Sequence, residues 1–400
     1  MRDVFLCSPL RTPVGKYGGL LSSIRPDDMA ALVLRALVER TGIDPAAIDD
    51  VVLGCANQAG EDNRNVARMA TLLAGFPYRV PGVTVNRLCA SSLEAVIVAA
   101  RAIAAGEADL IIAGGVESMS RAPYVLPKNV SGRALFGNLT AYDTALGWRF
   151  PNPAMEKLFP LESMGETAEN VAERYHIRRE DQDAYALRSH QQALAAYADG
   201  FFEEEILPVT IRDAKGNITT VEKDECPRPD TSLEKLAKLP PAFRPNGTVT
   251  AGNSSSLNDG AGSLIVASLE AVKQFNLRPL AIYRSGHAAG VDPRVMGIGP
   301  VEAIPGALRK AGIELSHVDL FEINEAFAAQ VLACQRLLEI PLDRLNVYGG
   351  AIAIGHPLGM SGVRILGTLI RALYQRGGRY GVASLCIGVG QGLAVVVERA

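Results

Sequence analysis

Apolar residues near the N-terminus recur with the spacing of an amphipathic helix. Leu32, Val33, Ala36 and Leu37 fall on one face when the chain is wound at about 3.6 residues per turn, and charged residues occupy the other face. Gly42 comes after this stretch, and glycine commonly ends helices. A short apolar run at 51–54 follows. The pattern predicts a helix that leads into a short strand.

The same pattern returns about 270 residues later, where Gly312, Ile313 and Asp319 align with Gly42, Ile43 and Asp49. Further elements continue in parallel in the two copies. In the first copy we predict strands at 83–85 and 110–113 and a helix beginning near Ser91; in the second, strands at 346–348, 380–386 and 393–397 and a helix at 363–373. The sequence therefore predicts one α/β unit used twice.

A long insertion interrupts the first copy before its final strand, which we predict at 264–267. The inserted residues are rich in Pro, Asn, Arg and aromatic residues, and they contain helical patterns at 166–176 and 179–198. We interpret this segment as a domain that covers the substrate. The predicted units are 1–119 plus 249–274 for the first half, 120–248 for the inserted loop domain and 275–400 for the second half.

The alternation of strands and helices predicts an α/β fold with mostly parallel sheets covered on both faces. Such sheets bind ligands at the carboxyl ends of their strands. Cys89 and His356 lie in the strand-to-helix turns of equivalent units, and Cys386 closes a strand in the second copy. A pseudo-twofold axis between the copies would bring these three residues together.

The composition and charge of the chain indicate which binding partners and cellular locations to expect. The chain has 400 residues and a net charge of −3, without the basic stripe that nucleic-acid binding requires. The N-terminus lacks the apolar run of a signal peptide, and Arg101, Glu107 and Asp109 interrupt the most apolar region, so we expect neither export nor a membrane span. We expect a cytoplasmic protein.

Six cysteines are scattered without the spacing of a metal site. We therefore expect free thiols and no bound metal; the cysteines are Cys7, Cys55, Cys89, Cys226, Cys334 and Cys386. A cysteine in apolar surroundings is usually inert. Cys89 differs, because Ser91 and Glu94 have the spacing of a capping box, and a helix N-terminus lowers the pKa of a nearby thiol.

His356 and Cys386 both lie in glycine-rich segments. His356 is one of only five histidines, and Gly355, Pro357 and Gly359 restrict the backbone around it, which favours a functional role over a structural one. The segment I-G-V-G-Q-G after Cys386 offers backbone N–H groups that could face an oxyanion. Its glycine spacing is not that of a dinucleotide-binding loop.

Two other features have alternative interpretations. Asn324 ends a predicted strand, where asparagine is often only a turn former, and Glu325 could either pair with a helix N-terminus or hold an active-site group. A local group of basic residues could be a solvated face or an anion site; it comprises Arg228, Lys235, Lys238 and Arg244.

Six motifs in order make the whole chain resemble the thiolases: V-N-R-L-C-A-S, G-G-V-E-S-M-S, T-V-T-A-G-N-S, N-E-A-F-A-A-Q, G-G-A-I-A-I-G-H-P-L-G-M-S-G and C-I-G-V-G-Q-G. The resemblance implies a duplicated αβαβα layered fold with an inserted loop domain, and a homotetramer built as a dimer of dimers. It also implies acyl-CoA substrates, with coenzyme A as co-substrate and no permanently bound cofactor. The segments C-A-N-Q-A-G-E-D-N-R-N-V-A-R-M-A and G-W-R-F most resemble the thiolases that cleave 3-oxoadipyl-CoA at the end of aromatic-ring degradation.

The same resemblance implies roles for individual residues. Cys89 would carry the acyl group, His356 would take its proton, and Cys386 would exchange a proton with C2 of the acetyl unit. One oxyanion hole would use His356 and a water held by Asn324, and a second the N–H groups of Cys89 and Gly388. The pantetheine arm would lie near Met164, Phe243, Ser255 and Phe327, with Arg228 toward the nucleotide.

Three positions depart from the common thiolase pattern. Ser92 and Ser256 stand where thiolases usually have glycine, so packing beside the nucleophile and the coenzyme loop could change. Ser163 replaces the histidine of acetoacetyl-forming enzymes, which favours a longer acyl chain. Arg149, in G-W-R-F, is our candidate for binding a second carboxylate on the substrate.

Other functions compete with this interpretation. A general 3-ketoacyl-CoA or acetoacetyl-CoA thiolase would share every motif. A decarboxylating ketoacyl synthase would need a second histidine in place of Cys386, and a papain-like hydrolase fits neither the repeat nor the N-terminus. A non-catalytic acyl-CoA or lipid carrier of the same fold would be expected to lack one of Cys89, His356 and Cys386.

Overall fold

The computed structural model of the protein describes residues 2–128, 138–212 and 215–400. Residues 129–137 and 213–214, which belong to the predicted insertion, lie outside this part. The strands are β1 (Phe5–Arg11), β2 (Gly15–Lys16), β3 (Asp50–Gly54), β4 (Val83–Val85), β5 (Leu110–Ser118), β6 (Tyr124–Val125), β7 (Tyr142–Asp143), β8 (Val209–Arg212), β9 (Ile218–Val221), β10 (Asn258–Ala267), β11 (Pro279–Gly290), β12 (Leu320–Ile323), β13 (Tyr380–Ile387) and β14 (Gln391–Arg399).

The helices are α1 (Pro26–Thr41), α2 (Val66–Leu73), α3 (Ser91–Ala105), α4 (Pro153–Leu158), α5 (Met164–Arg174), α6 (Arg179–Ala198), α7 (Leu233–Ala237), α8 (Leu269–Gln274), α9 (Gly299–Ala311), α10 (Ala328–Leu337), α11 (Ala351–Ile354) and α12 (Ser361–Arg376). The predicted helix near Ser91 and the one at 179–198 are confirmed. Helix α1 ends at Gly42 and α9 at Gly312, both in the left-handed conformation at a φ of 68°.

The order of strands in the main sheet shows the duplication. The order is β12-β13-β14-β11-β1-β10-β5-β3-β4. Outward from the centre, the first half has β1, β10, β5 and β3, and the second half has β11, β14, β13 and β12 in equivalent positions. The predicted repeat is therefore confirmed.

The prediction of mostly parallel sheets is wrong. Among the strands of the described chain, the parallel pairs are β3 with β4, β3 with β5 and β12 with β13, whereas β1, β10, β11 and β14 pair antiparallel with their neighbours. Only strands joined by a helical crossover run parallel. Strands β13 and β14 are joined by a short turn at 388–390, and a short connection allows only antiparallel pairing.

Helices cover both faces of the sheet, as the predicted layered fold requires. On β5, Ile111 and Ala113 belong to the apolar core around α3 and α12, whereas Leu110 and Ile112 belong to the core around α1 and α2. In the second half, α9 and α10 cover the outer face of the sheet. The two central helices, α3 and α12, contact strands of both halves. The αβαβα prediction is confirmed.

One stretch of the described chain, Leu88–Ala105, has the length and apolarity of a membrane-spanning helix. It comprises α3 and the turn before it, and most of its residues are buried in the protein. The close approach of Gly362 of α12 to Leu93 shows how tightly it is packed, because a Cβ at Gly362 would lie 2.4 Å from the Leu93 backbone nitrogen. The apolar character of this helix therefore belongs to the core.

The predicted strand at 346–348 is wrong. Asn346 has a φ of 45°, which an extended strand cannot accommodate. Its side chain takes the place of a strand partner, since Oδ1 accepts the Ile323 N–H at 2.8 Å and Nδ2 donates to the Ile323 carbonyl at 2.8 Å. The first copy uses β4 at this position, and the second uses an asparagine side chain.

The insertion lies over the second half of the protein. Helix α5 packs on α10, and α6 packs on α10 and α11. The pattern predicted at 166–176 begins and ends two residues earlier, as α5. The insertion is thus placed beside the turn that carries His356, and its bounds as a separate unit stay a prediction.

Candidate active site

Cys89 lies in a tight turn between β4 and α3. The predicted capping box is wrong: Ser91 Oγ accepts the Arg87 N–H at 2.9 Å and donates to the Leu88 carbonyl at 2.7 Å, and Glu94 pairs with Arg87 at 2.9 Å. These bonds hold the turn that precedes the helix, where Leu88 has a φ of 47°. These interactions fix the backbone of the turn that carries Cys89, the candidate nucleophile.

The pKa of the Cys89 thiol differs from the prediction. Burial raises it to about 11, and the backbone N–H groups of Gly388 and of Cys89 itself, which point at the sulfur, offset only part of this rise. The prediction that the helix N-terminus would lower this pKa is wrong. The resting thiol is neutral, so a base must remove its proton.

Three hydrogen bonds fix the position of His356. Its backbone N–H donates to Asn258 Oδ1 at 2.8 Å, and its Nδ1 lies 2.6 Å from Ser361 Oγ. Ser361 Oγ donates its own proton to the Pro357 carbonyl at 2.8 Å. The Nδ1 atom must therefore carry the hydrogen in its bond to Ser361, which leaves a lone pair on Nε2.

Asn324 contacts the other side of the same imidazole. Its Nδ2 lies 3.3 Å from His356 Nε2, and its backbone N–H donates to the Ser384 carbonyl at 2.9 Å, which ties it to β13. Burial, together with the charge of Arg364, lowers the pKa of His356 to about 3. The imidazole is therefore neutral and can accept a proton.

Strand β13 brings Cys386 and Gly388 to Cys89. Cys386 is buried, and burial together with the nearby Cys89 and Cys334 thiols raises its pKa. Gly388 follows two residues later and directs its N–H at Cys89. A Cβ at Gly388 would lie 3.4 Å from Met164 Sδ and 3.5 Å from Leu88 Cδ1. Two sulfur atoms and two backbone donors therefore share one small region.

A cavity of about 260 Å³ opens onto this region. Cys89, Gly388 and Met164 line it, and so does Leu358, two residues after His356. The cavity wall thus contains residues from both halves and from the insertion.

Four of the residues expected at the pantetheine arm lie close to one another. Met164 and Phe327 pack in one apolar cluster with Cys386, and the rings of Phe243 and Phe327 are T-shaped at 6.1 Å. Ser255 donates its N–H to the carbonyl of Ala326, the residue before Phe327, at 2.9 Å. The cluster borders the cysteine pair, as binding of a CoA thiol would require.

The structure divides the predicted basic group. Arg228 and Lys235 line a second cavity of about 330 Å³, together with Ala251, Gly252, Ser254 and Ser256. Lys235 pairs with Asp230 at 2.7 Å. Arg244 pairs instead with Glu166 at 2.8 Å, in a different place. Arg228, expected near the nucleotide, has no ion pair within the described ranges.

Glu325 has a structural role, which decides between its two interpretations. Its carboxylate accepts hydrogen bonds from Tyr185 at 2.9 Å, Ser189 at 2.6 Å, Asn346 at 2.9 Å and the Ile352 N–H at 3.1 Å. Ile352 is in the first turn of α11. Glu325 therefore joins the insertion to the N-terminus of that short helix.

Sequence reasoning gave no role to Glu117, which lines the cavity with Cys89. Its carboxylate accepts the N–H groups of Ala56 and Asn57 at 3.0 Å and of Gly359 at 2.8 Å. Burial nevertheless raises its pKa to about 7. A carboxylate in the otherwise apolar strand β5 was the signal in the sequence.

Cys55 and Asp62 lie beside Glu117, and the possible ligand atoms of the three residues are within 4.8 Å of one another. The Glu117 oxygens face three N–H donors. These donors stabilise the negative charge of the carboxylate, and they occupy the oxygen lone pairs that a cation would need. The Cys55 thiol also has a partner, because it donates a hydrogen bond to the Asn57 carbonyl at 2.7 Å.

Comparison with known proteins agrees with this geometry. The thiolase N-terminal domain model matches residues 4–270, and the thiolase C-terminal domain model matches residues 277–399. The chain belongs to the thiolase family. A beta-ketoadipyl-CoA thiolase of Pseudomonas aeruginosa is 56% identical over 100% of this chain and 99% of its own length.

Two further thiolases are similar over their whole length. The 3-oxoadipyl-CoA/3-oxo-5,6-dehydrosuberyl-CoA thiolase of Escherichia coli K12 is 54% identical over 100% of both chains. The crystal structure of human mitochondrial 3-ketoacyl-CoA thiolase in complex with CoA matches with a TM-score of 0.92 and 42% identity, covering 100% of this chain and 98% of that one. This protein is thus a thiolase acyltransferase that uses acyl-CoA substrates.

The three serines at which this thiolase departs from the common pattern all form hydrogen bonds. Ser92 Oγ accepts the Val363 N–H at 2.9 Å and so satisfies a donor in the first turn of α12. Ser256 Oγ lies 3.0 Å from Oδ1 of Asn258, the residue that holds the His356 backbone. Ser163 caps α5 by accepting the Glu166 N–H at 3.3 Å.

Proposed function

We propose that this thiolase cleaves 3-oxoadipyl-CoA with coenzyme A to give succinyl-CoA and acetyl-CoA, through a succinyl group carried on Cys89. Relatives named for this substrate, 54% and 56% identical at full length, support the substrate. One observation supports the mechanism above all: Cys89 and Gly388 line the same cavity, and Cys386, two residues before Gly388 at the end of β13, is close enough to Cys89 for the two thiols to affect each other's charge.

The first step forms the new carbon–sulfur bond. His356 Nε2 takes the proton from the Cys89 thiol, and the sulfur attacks the C3 ketone of the substrate. Both groups are neutral at rest because both are buried, so the proton moves only as the sulfur becomes bonded to carbon. The backbone N–H groups of Cys89 and Gly388 then donate to the oxygen at C3 as it gains negative charge.

The second step breaks the bond between C2 and C3. The electron pair of that bond goes to the acetyl-CoA enolate, whose oxygen is stabilised by His356 and by a water held by Asn324. The oxygen at C3 returns to a carbonyl as the thioester of Cys89. Cys386 donates its thiol proton to C2. Its raised pKa keeps that proton in place until the enolate forms.

The third step returns the acyl group to coenzyme A. The Cys386 thiolate takes the proton of the incoming CoA thiol, and the CoA sulfur attacks the thioester on Cys89. The thioester oxygen is held by the backbone N–H groups of Cys89 and Gly388, which already point at the sulfur. Cys89 leaves as a thiolate and regains its proton from His356.

Coenzyme A serves as co-substrate in this proposal, and the protein holds no permanent cofactor. Its pantetheine arm would lie along Met164, Phe243, Ser255 and Phe327, and its nucleotide end would approach Arg228 at the second cavity. The apolar cluster beside Cys386 supports this path, because the reacting thiol must arrive there.

The assembly and the compartment are further proposals. Strand β4 lies at one end of the main sheet, where Val83 is exposed, and an open edge is a template for pairing with a second chain. This edge supports pairing with a second copy of the chain, and membership of the thiolase family supports a homotetramer built as a dimer of dimers. Six free thiols support a cytoplasmic location, and the net charge of −3 supports the absence of a nucleic-acid partner.

The test compares three substrates at equal coenzyme A concentration, followed by loss of the 3-oxoacyl enolate absorbance: acetoacetyl-CoA, 3-oxohexanoyl-CoA and 3-oxoadipyl-CoA. We expect the largest kcat/KM for 3-oxoadipyl-CoA. A larger value for either unbranched substrate would favour a general 3-ketoacyl-CoA thiolase. Saturable binding of all three without turnover would favour a carrier.

A further inference from the structure

Arg149 lines the same cavity as Cys89. Among the described residues that line this cavity it is the only basic one, and the acidic ones are Glu117 and Glu162. A cavity that receives an uncharged acyl chain gains nothing from a cation in its wall. The presence of a guanidinium there points to a substrate with a negative charge.

The segment that carries Arg149 is held in place by side chains on both sides of the cavity. Thr144 donates its N–H to the Pro123 carbonyl at 3.2 Å, and Asn57 Nδ2 lies 3.1 Å from Thr144 Oγ1. Trp148, next to Arg149, donates Nε1 to the Glu162 carbonyl at 3.1 Å. The backbone that carries the Arg149 guanidinium is therefore held in place by hydrogen bonds.

Arg149 itself keeps most of its hydrogen-bonding capacity. Its Nη1 donates to the Thr144 carbonyl at 3.2 Å, and within the described ranges it forms no other hydrogen bond and no ion pair. Burial raises the pKa of Asp62, and the Arg149 charge acts against that rise, so the two are close without being paired. A guanidinium has five N–H donors, so several remain for a ligand.

The neighbouring carboxylates already have partners of their own. Glu162 pairs with Arg294 at 3.0 Å, and Glu117 accepts three backbone N–H groups. Neither competes for Arg149. A planar guanidinium matches a carboxylate with two parallel hydrogen bonds.

We infer that Arg149 binds the distal carboxylate of the acyl chain and so selects 3-oxoacyl-CoA substrates that end in a second acid group. This inference rests on the proposed function for the reacting end of the substrate. In the succinyl group on Cys89, two methylene groups separate the thioester carbonyl from that carboxylate. Arg149 thus determines specificity and takes no part in moving protons.

The test uses pairs of compounds that differ only by a methyl group in place of the carboxylate. For turnover the pair is 3-oxoadipyl-CoA and 3-oxohexanoyl-CoA; for acylation of Cys89 in a single turnover it is succinyl-CoA and butyryl-CoA. The variants are Arg149→Met, Arg149→Lys and, as a control, Arg101→Met on the exposed surface of α3.

We expect Arg149→Met to lower kcat/KM for 3-oxoadipyl-CoA about 100-fold and to change that for 3-oxohexanoyl-CoA by less than about threefold. Arg149→Lys should fall between the wild type and Arg149→Met, because it keeps the charge and loses the planar fork. Acylation should show the same selective loss for succinyl-CoA. Arg101→Met should behave like the wild type with all four compounds.

An equal loss with both members of a pair would show that Arg149 only supports the fold, and it would overturn the inference. Unchanged cleavage of 3-oxoadipyl-CoA by Arg149→Met would overturn it as well, while leaving the proposed function intact. If the wild type cleaves 3-oxohexanoyl-CoA and leaves 3-oxoadipyl-CoA uncleaved, the proposed substrate fails, and the role of Arg149 with it.

Discussion

The side-chain amide of Asn324 and the imidazole of His356 face each other, with Nδ2 of the asparagine 3.3 Å from Nε2 of the histidine. The other imidazole nitrogen, Nδ1, is occupied by Ser361 Oγ at 2.6 Å. The unprotonated nitrogen of the imidazole is therefore Nε2, the one that faces the Asn324 amide. Asn324 Oδ1 has no partner among the described residues and can accept a further hydrogen bond.

The Ser361 hydroxyl fixes which nitrogen of His356 carries the proton. We expect Ser361→Ala to lower kcat about tenfold and to leave KM nearly unchanged, because part of the imidazole population would then carry its hydrogen on Nε2, where it cannot accept from Cys89. Steady-state kinetics with 3-oxoadipyl-CoA would measure this. Ser361→Thr keeps the hydroxyl and should restore most of kcat; a Thr variant as slow as the Ala variant would refute this role.

The raised pKa of Cys89 predicts how its alkylation depends on pH. Since burial raises this pKa to about 11, the thiolate fraction is small at neutral pH and should grow about tenfold per pH unit through pH 9. His356 stays neutral throughout this range because its pKa is lowered to about 3. The measurement is the rate of iodoacetamide labelling, with Cys89→Ala to correct for the other thiols. A plateau below pH 8 would contradict the prediction.

The proposed division of labour between the two cysteines predicts separate effects of their removal. Cys386→Ala should still accept an acetyl group from acetyl-CoA on Cys89, because the CoA thiolate is a stable enough leaving group to depart without a proton from Cys386. Cleavage of 3-oxoadipyl-CoA should fall by about 1000-fold, since no acid remains to protonate C2. The mass of the intact protein measures acetylation of Cys89, and steady-state rates measure cleavage of 3-oxoadipyl-CoA. Cys7→Ala, in the core of the first half, is the control. Undiminished thiolysis by Cys386→Ala would refute the assignment.

Ser92 joins the two central helices through one buried hydrogen bond. Ser92→Ala would leave the Val363 N–H without a partner, and we expect the free energy of unfolding to fall by about 1–2 kcal/mol. The shift in the midpoint of urea unfolding measures it. Ser23→Ala, at an exposed serine, should change it by less than about 0.5 kcal/mol. Equal midpoints for wild type and Ser92→Ala would show that the bond is not needed for stability.

Much of the fold could be predicted from local patterns. Helices α1 and α9 are followed by glycine, isoleucine and aspartate at the same spacing, so the duplication could be recognised in the sequence; these residues are Gly42, Ile43 and Asp49 in the first copy and Gly312, Ile313 and Asp319 in the second. The direction in which neighbouring strands pair could not be predicted from the sequence, because it depends on how the strands are connected in space. Asn346 shows the same limit: its side chain replaces a strand, and no periodicity indicates that.

Some features of the candidate site could be predicted from the sequence. The duplication placed Cys89 and His356 in equivalent turns and Cys386 at the end of a strand, and in the structure Cys386 and Gly388 lie near Cys89. The direction of the Cys89 pKa shift was predicted wrongly, because the helix N-terminus is visible in the sequence, whereas the burial that outweighs it comes from distant segments. Glu117, held by backbone N–H groups of other segments, was missed for the same reason.

The most direct test is to mix the protein with 3-oxoadipyl-CoA in the absence of coenzyme A, quench it, and locate the added mass by peptide mapping. We expect a succinyl group on Cys89 in the wild type, its release as succinyl-CoA when coenzyme A is added, and no adduct in Cys89→Ala. A succinyl group on another residue, or cleavage that proceeds in Cys89→Ala, would contradict the account.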